Sequence, residues 1–279
     1  MLQLQLVLQG VIFMKKIGFI GAGNMALAIV SGAISSNFVS PENVYLFDNN
    51  ENQYKRFNNK CNFAKDVNNL IKDSDCIFLS VKPQNLKSIL STIKSNDFTN
   101  KVIVSICAGV TINSIAQELG EIKILRAMPN TPLLVGHGVT ALCSNEKVTN
   151  EEFTFVQNIF ASSGTTISVK ESDMNNITAI TGSSPAYVYL FIKCICDAAK
   201  ELGFDSKNTI DIVCKTFIGA SNMILSSNSS IDDLISMVKS PNGTTEKALD
   251  VFLEKNIYEV ILEAMKACSN RADELSKLN

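Results

Sequence analysis

The run Lys16-Ile17-Gly18-Phe19-Ile20-Gly21-Ala22-Gly23-Asn24-Met25-Ala26 carries the residue types needed to hold a diphosphate. Apolar residues suited to a strand lead into Gly-x-Gly-x-x-Ala, and helix-forming residues come next. Gly21 allows a sharp turn out of the strand. Gly23 leaves the backbone bare for a pyrophosphate, and Ala26 lets the next helix pack close to a sheet. Asn24 and Met25 open that helix, whose free N–H groups favour an anion. Asp48 closes the next apolar run, where a carboxylate accepts a bond from a ribose hydroxyl. Small residues after a strand are common in α/β turns. The strand before, the helix after and the acid downstream point to a dinucleotide.

Four more segments have chemical character. Val81-Lys82-Pro83 comes after an apolar run, at the edge where open parallel sheets bind ligands. Lys82 there suits a ribose hydroxyl or a nicotinamide amide, and equally a solvated strand–helix junction. Ala108-Gly109 ends another run with residues small enough for a planar ring to approach, or simply makes a turn. Arg126-Ala127-Met128-Pro129-Asn130-Thr131-Pro132 holds Asn130 and Thr131 between two prolines, in a rigid loop. Lys239-Ser240-Pro241-Asn242-Gly243-Thr244-Thr245-Glu246 joins two helical patterns. Gly243 and the two hydroxyls after it make an anion cradle suited to a carboxylate, or a helix cap alone.

The elements that must position these residues are set by periodicity. Apolar runs at 16–20, 43–47, 76–81, 101–106, 122–127, 139–143 and 165–169 predict strands. Helical patterns near 24–36, 51–58, 66–73, 84–94, 111–119 and 150–161 lie between them. Such alternation predicts an α/β fold with a Rossmann-type doubly wound, mainly parallel sheet. Beyond residue 170 only helices are expected: 172–182, 184–203, 206–226, 230–238, 244–254 and 256–277. Several are apolar on more than one face, as in Ala186–Ala199, which predicts a tight subunit interface. The domains read as 14–169, dinucleotide-binding, and 170–279, helical, for dimerisation and substrate. Residues 1–13 read as an extension without function: too short to span a bilayer, and with Lys15 and Lys16 on the wrong side for a signal peptide.

The chain has 279 residues, with 46% hydrophobic and 19% charged residues and a net charge of −2. That charge gives no reason to expect nucleic acid or a membrane surface. Eight cysteines form no Cys-x-x-Cys pair, and His137 is the sole histidine, so no metal centre is expected. Cys76, Cys107, Cys143, Cys194 and Cys214 sit in apolar runs and read as buried free thiols in a reducing cytoplasm.

Taken in order, Ile17 to Ala26, Val81-Lys82-Pro83-Gln84, Ala108-Gly109-Val110, Met128-Pro129-Asn130-Thr131-Pro132, Gly182-Ser183-Ser184-Pro185-Ala186-Tyr187 and Ser240-Pro241-Asn242-Gly243-Thr244-Thr245 resemble the motifs of the pyrroline-5-carboxylate reductase family. The resemblance runs from Lys15 almost to the C-terminus. It implies an oxidoreductase that uses NADH or NADPH to reduce 1-pyrroline-5-carboxylate to L-proline, the last step of proline biosynthesis. It also implies a cytoplasmic homodimer with interlocked helical domains, often built into a larger ring such as a decamer. Thr245 matches the family position nearest the substrate, with Thr244 beside it. Ser240, Asn242 and Gly243 belong to the same substrate loop. The family pattern places Glu171 near the ring nitrogen, from either subunit; the start of a surface helix is the other reading.

The chain departs from the family at Ser184 and Asn242, where Gly is usual, and at Met237, where a polar residue is usual. Related cyclic imines therefore stay open as substrates, as does a catalytically silent dinucleotide-binding paralogue. A β-hydroxyacid dehydrogenase would need a catalytic lysine, and Lys193 lacks a matching polar turn. Asp48 leans the cofactor choice towards NADH. Asn49-Asn50 replace the Arg that often comes next, while Lys55 and Arg56, further on, keep NADPH open.

Overall fold

The computed structural model describes residues 15–58 and 60–278. The expectation for residues 1–13 falls outside them. One eight-stranded sheet runs in the order β3-β2-β1-β4-β5-β6-β7-β8. Its strands are β1 Ile17–Ile20, β2 Val44–Phe47, β3 Asn62–Phe63, β4 Cys76–Leu79, β5 Val102–Ser105, β6 Lys123–Met128, β7 Gly138–Ser144 and β8 Gly164–Ser168. Neighbours are parallel except β6 and β7. β1, β4 and β5 are buried at every position. Two apolar clusters cover the sheet, and Phe19 stacks on Phe78 of the next strand at 4.3 Å between ring centroids.

Helices α1 Asn24–Ser35, α2 Val67–Asp73, α3 Pro83–Ile93, α4 Ile112–Leu119 and α5 Asn150–Ala161 connect these strands. Pro83 is the first residue of α3, where its missing N–H costs nothing. The expected helix at 51–58 is a 3₁₀ helix, Glu51–Phe57. β3 has two residues, too short to show a period. Segment 172–182, read as one helix, passes through a 3₁₀ turn, the short helix α6 Met174–Ile177 and a π turn, Thr178–Gly182.

The chain divides into two compact units. The first runs through Ser183 and takes back the chain from Cys268; the second is Ser184–Ala267. Helices α7 Ser184–Glu201, α8 Thr209–Ser226, α9 Ile231–Val238 and α10 Thr244–Glu254 build the second, and α11 Ile257–Leu278 starts there. Gly203 and Asn256, both at positive φ, lie just past the ends of α7 and α10, where that conformation terminates a helix. Large apolar residues stand exposed on these helices, among them Tyr189, Leu190, Ile210, Ile218, Phe252 and Val260. The stretch Glu171–Glu201 is long and apolar enough to cross a membrane by length and composition alone. The cysteines are free; Cys61, Cys76, Cys107 and Cys143 are buried, whereas Cys194 is exposed and Cys214 half-buried, a correction to the expectation. Burial raises the Cys61 and Cys107 thiols to about 11.

Helix α5 shows how the sequence fastens one element. Thr149 accepts from the Glu152 backbone N–H, and Glu152 accepts from the Thr149 N–H, a reciprocal cap. The other Glu152 oxygen accepts from Lys123 of β6 at 2.7 Å. Burial opposes the Glu152 charge, but the Lys123 and Thr149 bonds outweigh it and hold the pKa below its ordinary value. Its stabilisation is therefore complete above the ordinary carboxylate pKa and is lost as pH falls through the lowered one. Thr149→Ala is expected to lower stability by about 1 kcal/mol in urea unfolding at pH 7. Glu152→Gln should cost stability at pH 7, and less as the pH approaches 3.

Candidate functional site

Register delivers the site. Ile20 pairs with Phe47 on one side and Leu79 on the other. The next residues, Gly21, Asp48 and Ser80, therefore leave the sheet side by side. Gly21 has φ +99°, and a Cβ there would lie 2.6 Å from the Ser80 carbonyl oxygen, so only glycine fits. Its N–H donates to Phe47 O at 2.8 Å, and Ser80 Oγ donates to Gly21 O at 2.5 Å.

Gly23 differs. Its backbone is extended, φ −76° and ψ −166°, a conformation open to any residue. A Cβ there would meet nothing within 4 Å. Glycine is not needed for the fold at this position; the space in front of it is open. It precedes α1, which has no side-chain cap, and the helical ladder starts only at Leu27 N, bonded to Gly23 O. Among the described residues the earlier N–H groups of the helix have no partner, which suits an anion. A cavity of about 440 Å³ lies here, lined by Gly21, Gly23, Asp48, Val81 and Lys82 and, beyond β2, by Asn49, Asn50 and Gln53. This open, donor-rich cleft fits a dinucleotide.

The other expected cofactor residues are placed less directly. Asn24 is exposed, and its Oδ1 accepts from Arg56 Nη2 at 2.7 Å. Met25 packs against the core under the sheet. Ala108 is half-buried against the cluster of Met128, Ala141, Cys143 and Met174. Gly109 has φ +70°, and a Cβ there would lie 2.7 Å from Leu275 Cβ, so its bareness lets α11 pack close. Asp48 is more committed than the sequence suggests. Its Oδ2 accepts from Ala22 N and its Oδ1 from Asn50 N, both at 2.8 Å. Tyr54 closes the turn, donating to Asp48 O and accepting from Asp48 N.

Glu171 braces the same unit. Its Oε1 accepts from Ile112 N, at the start of α4, at 2.7 Å and from Arg126 Nη1 at 3.4 Å. Arg126 is 1% exposed; its Nη2 donates to Asn175 Oδ1 at 3.1 Å, and Asn175 donates to Asp273 of α11 at 2.6 Å. Arg126 Nε has no partner among the described residues. Asn130 is buried, donating to Thr181 O and accepting from Val139 N, while Thr131 is exposed. The roles of Arg126, Asn175, Asp273 and Tyr54 were missed from sequence. The signal available was the single charge inside the apolar run Ile124-Leu125-Arg126-Ala127-Met128.

In the helical unit, Gly243 precedes α10 and bonds Ser240 O through its N–H at 2.9 Å; a Cβ on Gly243 would collide with Ser240 Oγ. Asn242 takes the left-handed conformation, φ +57°, which Asn tolerates where Gly is the usual choice. Its N–H donates to Glu246 Oε2 at 2.8 Å, and Lys239 pairs with Glu246 Oε1 at 3.2 Å. The Asn242 bond, then Lys239, hold the Glu246 carboxyl below its ordinary pKa. Thr245 and Met237 line one apolar cavity of about 320 Å³. Lys193 is exposed and ion-paired with Asp197 one turn on.

Comparison with known proteins gives concordant matches. Residues 171–275 match the family described as pyrroline-5-carboxylate reductase dimerisation. Residues 16–109 match the family described as NADP oxidoreductase coenzyme F420-dependent. The pyrroline-5-carboxylate reductase of Escherichia coli K12 is 36% identical over 266 residues, 94% of this chain and 99% of that protein. That of Methanosarcina acetivorans is 33% identical, over 94% and 98%. Among solved structures, the Plasmodium falciparum pyrroline carboxylate reductase with NADP bound superposes with TM-score 0.87 at 31% identity, covering 94% of this chain and 98% of that one. The Coxiella burnetii pyrroline-5-carboxylate reductase gives 0.85 at 33%, covering 94% and 99%.

The open space at Gly23 sharpens one test. Gly23→Val meets no protein atom and keeps an allowed backbone, so its urea midpoint is expected to match that of the parent. Its branched side chain fills the place of the phosphates, and titration should show NADPH affinity reduced by more than about tenfold, or 1.4 kcal/mol. Unchanged affinity would exclude Gly23 from the phosphate site.

Proposed function

The chain belongs to the pyrroline-5-carboxylate reductase family, and from that premise we propose that it reduces 1-pyrroline-5-carboxylate to L-proline in the cytoplasm. The observation that carries the reading is the glycine turn: Gly21 locked against Ser80, and Gly23 open beside the free N–H groups of α1. A bound NADH or NADPH supplies the hydride.

The remaining work falls to positioning. A protonated cyclic iminium is electrophilic at carbon, and a hydride gained there leaves a neutral secondary amine. No protein acid has to give a proton, so a catalytic histidine is not required. The chain must bind the substrate carboxylate, set the ring and exclude water. Positioning of this kind is worth roughly 7–11 kcal/mol of barrier. In this reading, Gly21, Gly23, Asn24, Val81, Lys82 and Pro83 hold the dinucleotide. The first-turn N–H groups of α10, with Thr244 and Thr245, take the carboxylate, and Ser240, Asn242 and Gly243 shape their loop. Lys239 offsets the nearby Glu246 charge. Glu171 acts through structure, capping α4 and neutralising Arg126.

The apolar faces of α7, α8, α10 and α11 are read as the surface that a second copy covers, since this segment falls within the dimerisation match. A homodimer is the minimal unit, and a ring of dimers is compatible with it. This reading also accounts for the apolar stretch Glu171–Glu201 without a bilayer. One observation favours a second substrate reading: the apolar Met237 shares its cavity with Thr245. A larger or less polar cyclic imine would suit such a wall.

Thr245→Val keeps shape but removes the hydroxyl. The expected loss is about 1.5–3 kcal/mol, as for a hydrogen bond to a charged group. It appears as a roughly ten- to hundred-and-fifty-fold fall in kcat/KM with pyrroline-5-carboxylate, with NADPH affinity unchanged. Thr245→Ser should recover most of the activity. Assaying five- and six-membered imines alongside separates the two substrate readings.

Light scattering at micromolar concentration should report a dimer or a multiple of it. Leu190→Glu together with Val260→Glu should shift it towards smaller species. A stable monomer of the parent chain would remove the second copy as the cover of the apolar faces.

A further inference from the structure

We propose that Arg56 recognises the 2′-phosphate of NADP(H) and makes the phosphorylated dinucleotide the preferred cofactor. The inference rests on the dinucleotide reading of the 440 Å³ cavity. Three observations support it. First, Asp48 has both carboxylate oxygens bonded to backbone N–H groups, of Ala22 and Asn50. Asp48 lines the cavity, and these two bonds draw its charge towards the backbone of the glycine turn. Second, the cavity wall beyond β2 is made of neutral amides, Asn49, Asn50 and Gln53, which donate to an anion without repelling it.

Third, Arg56 is held beside that wall while keeping its charge. Its Nη1 donates to Gln53 Oε1 at 2.9 Å and its Nη2 to Asn24 Oδ1 at 2.7 Å. Gln53 lines the cavity, and Asn24 comes directly after Gly23, which lines it too. The guanidinium thus spans from the 3₁₀ helix to the glycine turn. Both partners are uncharged, and among the described residues no carboxylate pairs with Arg56, in contrast to Arg126 and Arg271. Lys55 differs: its Nζ donates to Asn52 within its own turn. An ordered guanidinium without a counterion, beside a ribose site, has the planar fork that a phosphate binds through two N–H groups. An arginine near this site is a known means of accommodating a 2′-phosphate.

The test uses the full-length protein and two nucleotides that lack nicotinamide, 2′,5′-ADP and 5′-AMP, titrated by calorimetry. The parent chain is expected to bind 2′,5′-ADP at least tenfold more tightly than 5′-AMP. R56Q should weaken 2′,5′-ADP by tenfold or more and leave 5′-AMP unchanged, while R56K retains part of the difference. In steady-state assays R56Q should lower kcat/KM for NADPH by a similar factor and spare NADH. Equal binding of the two nucleotides by the parent would overturn the proposal. So would R56Q weakening both alike, the signature of a structural brace only. If neither nucleotide binds, the dinucleotide site itself falls and this inference with it. Since Arg56 is exposed, R56Q is expected to keep the parent's urea midpoint.

Discussion

The site depends on one constraint: three adjacent parallel strands end in register. β1, β2 and β4 end at Ile20, Phe47 and Leu79, and the residues just past each end must share one narrow edge. Crowding there is severe enough that a single Cβ on Gly21 would enter the Ser80 carbonyl. The edge is held by bonds between its own residues: Ser80 Oγ to Gly21 O, Gly21 N to Phe47 O, and Asp48 to Ala22 N. A turn fixed in this way loses little entropy when an anion arrives, because its N–H groups are already aimed. The two glycines serve opposite purposes. Gly21 is required by the protein's own backbone, and Gly23 by nothing in the protein, which is what marks it as facing a ligand.

A second constraint is electrical. Arg126 sits in the sheet core, almost without water, and a buried cation is costly unless paired. Its compensation comes from two directions: Glu171, which also caps α4, and Asn175, which passes the contact to Asp273 of α11. The end of the last helix is thereby held within the first unit, against residues some 150 positions earlier in sequence, and the Leu275–Gly109 contact reinforces the tie. Glu171 has a structural task of its own. Its single Oε1 already meets an amide and a guanidinium, so removing the carboxylate would uncap α4 and expose the Arg126 charge at once.

Much of this was legible in the residues. Strand–helix alternation gave the sheet, and Gly-x-Gly-x-x-Ala with Asp48 gave the edge at which a ligand binds. Pro83 at the start of α3, and Gly203 and Asn256 past the ends of α7 and α10, sit where local backbone preference alone puts them. What escaped was long-range or very short. β3 is two residues of edge strand, and no period can appear in so few. The 3₁₀ helix Glu51–Phe57 has the composition of an α-helix and is tightened by the Asn50 cap and the Tyr54–Asp48 contact. The Arg126–Asn175–Asp273 chain joins residues whose separation in sequence hides them from any motif. Asp48 was found for its charge, but its direction depended on two amides that only the folded turn supplies.

The helical unit shows the same division between what a residue type allows and what its surroundings select. Asn242 has a backbone at φ +57°, the left-handed region that glycine favours and asparagine adopts at small cost. Met237 acts through its side chain. It lies in the wall of the cavity that Thr245 also lines, and there it offers polarizable bulk without a hydrogen-bond donor. A reaction that needs no protein acid is governed by how tightly the ring and carboxylate are placed. Under that rule a wall residue can alter which imine is placed well, while the hydride chemistry, set by the glycine turn and the dinucleotide, stays the same.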